Sequence, residues 1–308
     1  MTPVERPCCA AAYGAAILSQ FAGRRKFQSC MLGSSKVIER AVASASLTAR
    51  YVAAQRIARK AGEVAHDFFV QRESLVVEHK GVQDFVSHAD RTVEKVIAGE
   101  LSAAFPNDAF LGEETAASFK GPVNRVWVVD PIDGTHNFLR GIRYYCVSIA
   151  YIERGMREIG VVYDPEHGEL FHARRGHGAW CESAGGETQL RASQCRDLTD
   201  AFIAVVHNDR YPEERYIALK KALMDAGVAT RNLGAGALQL AHVAAARLDG
   251  FIELSLNAWD ASAGLLLIEE AGGYAGPFPG PAGLLVPAPV LGCAKEIAWP
   301  LVELIGEW

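Results

Sequence analysis

What the chain lacks narrows its identity first. It has no CxxC pair, no HxxxH or HxH pair, and no unbroken apolar stretch of membrane-spanning length. Its seven cysteines, Cys8, Cys9, Cys30, Cys146, Cys181, Cys195 and Cys293, are scattered and odd in number. That pattern excludes a disulfide framework and a zinc knuckle, and it predicts a reducing, cytoplasmic setting. Positive charge is in short supply too. The 31 Lys and Arg stand against 36 Asp and Glu, a net charge of −5. A nucleic-acid binder usually presents a basic face, so neither a nucleic-acid nor a membrane partner is expected.

Hydrophobic residues make up 50% of the 308, enough for an ordinary globular core. Residues 1–45 stand apart. Pro7 to Gly23 carries no charge, Arg24-Arg25-Lys26 follows it, and no acidic residue falls between Glu5 and Glu39. A secretory signal places its positive charges before the apolar part, not after it. A basic, acid-poor leader also fits an organellar transit peptide. The reading adopted is a disordered leader, or a mis-assigned start with Met31 as the natural beginning.

From Ser46 the text becomes periodic. Ala53, Ile57, Ala61, Val64, Ala65 and Phe68 recur at three and four residues, which predicts an amphipathic helix over about 48–71. Val93, Ile97 and Leu101 predict a second over about 90–104, ended by Phe105-Pro106-Asn107-Asp108. Strands then follow at 125–130, 146–152, 159–163 and 170–173, joined by short turns, so a largely antiparallel sheet is expected. The second half alternates: strand 201–206, helix 213–226, strand 231–233, helix 237–246, strand 250–254 and helix 261–270. A soft boundary falls near Glu182–Ser193, dividing 46–190 from 191–308.

The chemistry concentrates where the apolar run Val126-Trp127-Val128-Val129 ends in Asp130-Pro131-Ile132-Asp133-Gly134-Thr135. Proline restricts its own φ and biases Asp130 toward extended backbone. The turn after it can aim Asp130, the Ile132 carbonyl and Asp133 at one point. Three hard oxygens suit Mg²⁺, Mn²⁺ or Ca²⁺. Gly134 allows close backbone approach, and the amides of Gly134 and Thr135 can hold a phosphate if a helical turn starts there. A simple surface turn is the alternative. Two more acidic clusters abut apolar text: Gly112-Glu113-Glu114, and Trp259-Asp260-Ala261-Ser262-Ala263-Gly264. Solvated charge would explain the first alone, and a favourable helix N-terminal charge the second. Histidines 66, 79, 167, 172, 177 and 242 have no partner spacing and read as structural or surface groups. His207-Asn208-Asp209-Arg210 reads as a solvated loop or the rim of a pocket. Trp259 reads as a packing anchor. Nothing in the spacing decides whether Arg140 and Arg143 meet substrate or solvent, or whether Lys80 is more than an exposed lysine.

At these residues the chain resembles the inositol monophosphatase family of magnesium-dependent, lithium-sensitive phosphatases, over about residues 46–298. The approach segment Lys80-Gly81…Asp84…Ser87-His88-Ala89-Asp90, the strand Gly160-Val161-Val162-Tyr163-Asp164-Pro165 and Glu270-Ala271-Gly272-Gly273 share in the likeness. The resemblance implies an α/β (α+β) fold, a layered αβαβα sandwich of the sugar-phosphatase type. Its first half (46–190) would bind metal and its second (191–308) substrate. It implies two or three Mg²⁺, with Mn²⁺ as a possible substitute. Glu113, Asp130 and the Ile132 carbonyl would hold the first ion, and Asp130, Asp133 and Asp260 the second. Glu113 and Thr135 would orient the attacking water, with Asp90 accepting from the Thr135 hydroxyl. Gly134 and Thr135 would bind phosphate. Gly234, Ala235, Gly236, Glu253 and Asp260 would meet the alcohol. A homodimer acting on a small phosphorylated alcohol is implied. Inositol monophosphate leads; histidinol phosphate, nucleotide 3′-phosphates and fructose bisphosphate are alternatives, as is a catalytically silent regulatory member. His136 stands where a threonine is commoner, and the 234–237 loop is small; both bear on substrate identity.

Overall fold

The computed structural model describes the backbone of residues 45–72, 77–81, 84–208 and 210–306, with the side chains of 73–87 excluded. The leader reading and the side chains of Lys80, Asp84 and Asp209 therefore lie outside the described residues. The chain divides into two units, 1–50 and 51–308. Of the first, the described part is the start of helix α1 (45–70), where Arg50 donates to the Ser46 carbonyl and hydroxyl.

In the second unit, strand alternation builds the layers. On β4 (Arg125–Asp133), Val126 and Val128 enter one core with Leu238, Leu240, Leu265 and Leu266. These last residues belong to α5 (Gly236–Ala244) and α6 (Ala258–Glu270). Trp127, between them, points the other way. Its ring packs against Phe105 and Tyr151, and its indole donates to Asp108 at the end of α2 (His88–Ala104). The period-2 rule thus places α5 and α6 on one face of the sheet and α2 on the other, where residues 51–70 of α1 also lie, with Gly62 against Tyr163.

That sheet has seven strands in the order β3-β4-β5-β6-β7-β8-β9. They are β3 (Ala109–Gly112), β4, β5 (Cys146–Glu153), β6 (Met156–Asp164), β7 (Glu169–Arg174), β8 (Ala179–Ser183) and β9 (Gly186–Gln189). All neighbours are antiparallel except β3 and β4. A Cβ at Gly160 on β6 would stand 2.6 Å from the Ala263 carbonyl oxygen, so only glycine lets α6 lie this close. A separate pair, β1 (Val77–Gly81) and β2 (Asp84–Ser87), forms an antiparallel hairpin.

The second sheet runs β11-β10-β12-β14-β13. Its strands are β10 (Phe202–Val205), β11 (Ala229–Arg231), β12 (Gly250–Leu256), β13 (Tyr274–Ala275) and β14 (Ala288–Cys293). β10 pairs in parallel with β11 and β12, and β14 runs antiparallel to β12 and β13. Phe251 on β12 joins the core under α5 and α6. Ile252 and Leu254 join a second core with Leu219, Leu223 and Leu301, from α4 (Glu213–Asp225) and α7 (Ala298–Ile305). The layers therefore read helix, sheet, helix, sheet, helix. This is the αβαβα sandwich that the pattern and resemblance predict.

One expectation needs correction. The strand expected at Arg231–Leu233 ends at Arg231, because Asn232 accepts from the Gly234 amide and Gly234 turns with φ 81°. The polar stretch Glu182–Ser193 completes β8 and supplies β9, the last strand of the first sheet. Its polarity reflects an exposed edge strand, and Gly186 makes the hairpin turn with φ 103°. β3, a strand that no pattern marked, lies parallel beside β4 in a sheet otherwise antiparallel, as expected.

Candidate metal centre

Two carboxylates three residues apart on a regular strand would point to opposite faces. β4 avoids this with a bulge. Asp130 lies opposite Ser148 and Asp133 opposite Cys146, so three steps on β4 match two on β5. The extra residue restores parity, and Pro131 falls at the irregularity, where a missing amide costs no ladder bond. Asp130 accepts from the Ile132 amide at 2.9 Å and is held in a tight turn, 2% exposed.

Two other elements deliver carboxylates to the same place. Glu113 follows β3 directly, and its amide donates to the Val129 carbonyl at 3.1 Å. The next amide, of Glu114, donates to Glu94 of α2 at 2.8 Å, which fixes this loop from behind. Asp260 lies in the first turn of α6 and accepts from the Asn257 amide and side chain, each at 3.3 Å. One oxygen each of Glu113, Asp130 and Asp260 lies within 4.8 Å of the other two. The helix-charge reading of Asp260 is therefore true but incomplete.

Asp133 is not in that trio. Its oxygens accept from the amides of Gly236, Ala237 and Leu238 at 3.1, 2.8 and 3.3 Å, capping α5. The Cys146 thiol donates to it at 3.5 Å. Three of these four donors crowd Oδ2, so Oδ1, which accepts only from Gly236, still has a lone pair to offer.

The chain then turns through Gly134 (φ 90°) into α3 (Thr135–Arg140). The Thr135 hydroxyl lies 3.0 Å from the Ile132 carbonyl and 3.3 Å from Asp90, which is 2% exposed on α2. A Cβ on Gly134 would sit 2.9 Å from that of Ala235 and 3.3 Å from the Gly234 carbonyl oxygen. The 234–236 loop therefore lies directly against the start of α3. Asn137 ties the two together, donating to the carbonyls of Tyr144 and Leu233, each at 2.8 Å.

Glu253 of β12 is 2% exposed, and a bulge lies between it and Leu256. One oxygen accepts from Asn208 at 2.5 Å; the other is buried without a hydrogen-bond partner among the described residues. The sequence left Asn208 between a solvated loop and a pocket rim. The structure shows it bridging Glu253 and the Ser255 carbonyl. Glu94, Cys146 and Asn137 also went unread, because each acts through the fold and carries no local motif. Arg143 pairs with Glu166 at 3.4 Å.

Crowded like charge dominates the electrostatics. Burial first, then Glu113, Asp133 and Asp260, push the Asp130 carboxyl well above the usual carboxylate range. Asp133 rises to about 7, from burial and then Asp260, against the three amides that lower it. Asp260 is raised chiefly by burial. Glu253 rises to about 8, from burial and then Asp260.

A family-level profile described as the inositol monophosphatase family matches residues 46–298. The chain belongs to the inositol monophosphatase family. Its relatives include an inositol-1-monophosphatase of Mesorhizobium japonicum, 40% identical over 74% of this chain and 85% of that protein. A Nus factor SuhB of Xylella fastidiosa is 39% identical over 73% of this chain and 80% of that one. Among solved structures, the extragenic suppressor protein suhB of Bartonella henselae superposes with a TM-score of 0.75 at 35% identity, covering 83% of this chain and 97% of the other.

The family is metal-dependent, and this chain's donor set fits a hard divalent ion. The converging trio offers only carboxylate oxygen. Burial makes it unstable as bare charge, as the raised Asp130 carboxyl records, and a cation relieves that repulsion.

Proposed function

We propose that this family member hydrolyses the phosphate monoester of a small polyol, with inositol monophosphate as the leading substrate and Mg²⁺, or Mn²⁺ in its place, as the required ion. The reading is carried by the meeting of Glu113, Asp130 and Asp260 beside the Thr135 hydroxyl. The name of the Mesorhizobium relative supports the substrate. Glu113, Asp130 and the Ile132 carbonyl would hold one ion, and Asp130, Asp133 and Asp260 a second. Bound there, magnesium would supply the positive charge that phosphoryl transfer demands.

The remaining work falls to the chain. Thr135 donates to Ile132 or Asp90, which leaves its own oxygen free to accept from an attacking water that Glu113 also orients. The amides of Gly134 and Thr135 open α3 and bind phosphate oxygens. Glu253 accepts from a substrate hydroxyl through the oxygen that has no partner among the described residues. The loop Gly234-Ala235-Gly236 lines the alcohol side. The family reading extends to a cytoplasmic homodimer.

The test is a phosphate-release screen of purified protein with Mg²⁺ across inositol, histidinol, nucleotide 3′- and sugar phosphates. Fastest release from inositol monophosphate is expected; preference for another alcohol would transfer the assignment to it. A non-catalytic regulatory role draws on the name of the Xylella relative, a Nus factor. The complete carboxylate set favours catalysis, since a silent scaffold has no use for it.

A further inference from the structure

Three other ligand-type side chains meet at the far edge of the seven-stranded sheet. His172 lies on β7, Glu182 on β8 and Glu187 on β9. Register explains the meeting. Glu182 stands directly opposite Glu187. His172 stands opposite Trp180, two residues before Glu182 and on the same face. One ligand atom of each lies within 4.8 Å of the other two.

The histidine points to an ion. The residue is 2% exposed, and Nε2 is buried with no hydrogen-bond partner among the described residues. A Glu187 oxygen lies 3.4 Å from Nε2 without hydrogen-bond geometry. An imidazole nitrogen and a carboxylate oxygen on one tetrahedral ion, each bound at about 2.0–2.2 Å, stand about 3.4 Å apart. Nδ1 lies 2.5 Å from the Tyr51 hydroxyl. With Nδ1–H donating to that oxygen, Nε2 carries the lone pair, the arrangement that metal-ligating histidines adopt. Burial holds His172 down to about 4, so at neutral pH the ring is uncharged and forms no ion pair with Glu187. Two carboxylates facing each other across a strand pair repel. Arg59 of α1 donates to Glu182 and offsets one of them.

We propose that His172, Glu182 and Glu187 form a second metal site, for a divalent transition cation of the zinc class, separate from the acidic pocket. One nitrogen with two carboxylates suits that class and disfavours magnesium. The glutamate side chains are 46% and 52% exposed, so water can complete the coordination. The ion would tie the β8–β9 edge hairpin to β7.

The experiment titrates chelator-stripped full-length protein with Co²⁺ and Zn²⁺ in excess Mg²⁺, which competes at the acidic pocket. Tetrahedral Co²⁺ absorption and Zn²⁺ stoichiometry after desalting are read. Wild type is expected to bind one Zn²⁺ and show the absorption. Glu187→Gln and Glu182→Gln, at exposed positions that do not endanger folding, are expected to weaken binding at least ~10-fold. Asp130→Asn is expected to leave it unchanged. The proposal is overturned if Glu187→Gln binds Zn²⁺ like wild type, or if Asp130→Asn alone abolishes binding.

Discussion

Asp130, near the end of β4, and Asp260, in the first turn of α6, bring one carboxylate oxygen each within 4.8 Å of the other in a pocket of like charge. The arrangement burdens the metal-free protein. Asp130→Asn should therefore raise the thermal stability of chelator-treated protein by about 1–2 kcal/mol while cutting Mg²⁺-dependent phosphate release at least ~100-fold. Calorimetry with EDTA and a phosphate assay read the two effects. Near-normal turnover would remove Asp130 from the chemistry.

Glu253 and Asn208 should separate substrate recognition from hydrolysis. Glu253→Ala is expected to harm a polyol phosphate far more than an aryl phosphate, which offers no hydroxyl to the buried oxygen. Asn208→Ala should raise KM for the polyol by about 1 kcal/mol equivalent, because Glu253 loses its donor. Steady-state kinetics on both substrates decide, and equal losses on both would place Glu253 outside the alcohol site.

Thr135→Val keeps shape but removes the hydroxyl between Ile132 and Asp90. Its kcat should fall by about 100-fold or more, whereas Thr135→Ser should retain most activity. A valine variant with wild-type kcat would show that the hydroxyl orients nothing.

A buried imidazole, His172, and a half-buried one, His242, predict acid sensitivity. Burial lowers His172 and His242 to about 4, below the ordinary 6.5. His242 is held by Tyr144 and Arg247, each at 3.3 Å, and Arg247 also lowers it. The unfolded chain then binds more protons between pH 4 and 6.5. The stability is full above 6.5 and is lost as pH falls through that window. Each ring accounts for about 2 kcal/mol between pH 7 and pH 5. Urea unfolding of chelator-treated wild type and His242→Gln at both pH values isolates one ring. The variant should lose about 2 kcal/mol less on acidification; equal losses would mean that His242 titrates normally.

The layers were legible because α1 and α2 bury one face and write its period into the text, while β4 to β7, buried on both faces, read as short apolar runs between turns. The acidic trio was legible because Glu113, Asp130 and Asp260 are strand-end and helix-start residues beside apolar runs. What stayed hidden depends on pairing across the chain. The bulge that turns Asp130 and Asp133 to one side exists only against Ser148 and Cys146. Asn208 has meaning only once β12 brings Glu253 to it. β9 was missed because an exposed edge strand has no apolar face to announce it.

The central claim is that Glu113, Asp130 and Asp260 together hold the ion that drives ester hydrolysis. The direct test is Mg²⁺ titration of chelator-stripped protein by calorimetry, alongside phosphate release from inositol monophosphate at each Mg²⁺ concentration. Binding and turnover are expected to rise together in wild type, and both to be lost in Glu113→Gln, Asp130→Asn and Asp260→Asn. Turnover that persists without Mg²⁺, or Mg²⁺ binding unchanged in all three variants, would contradict it.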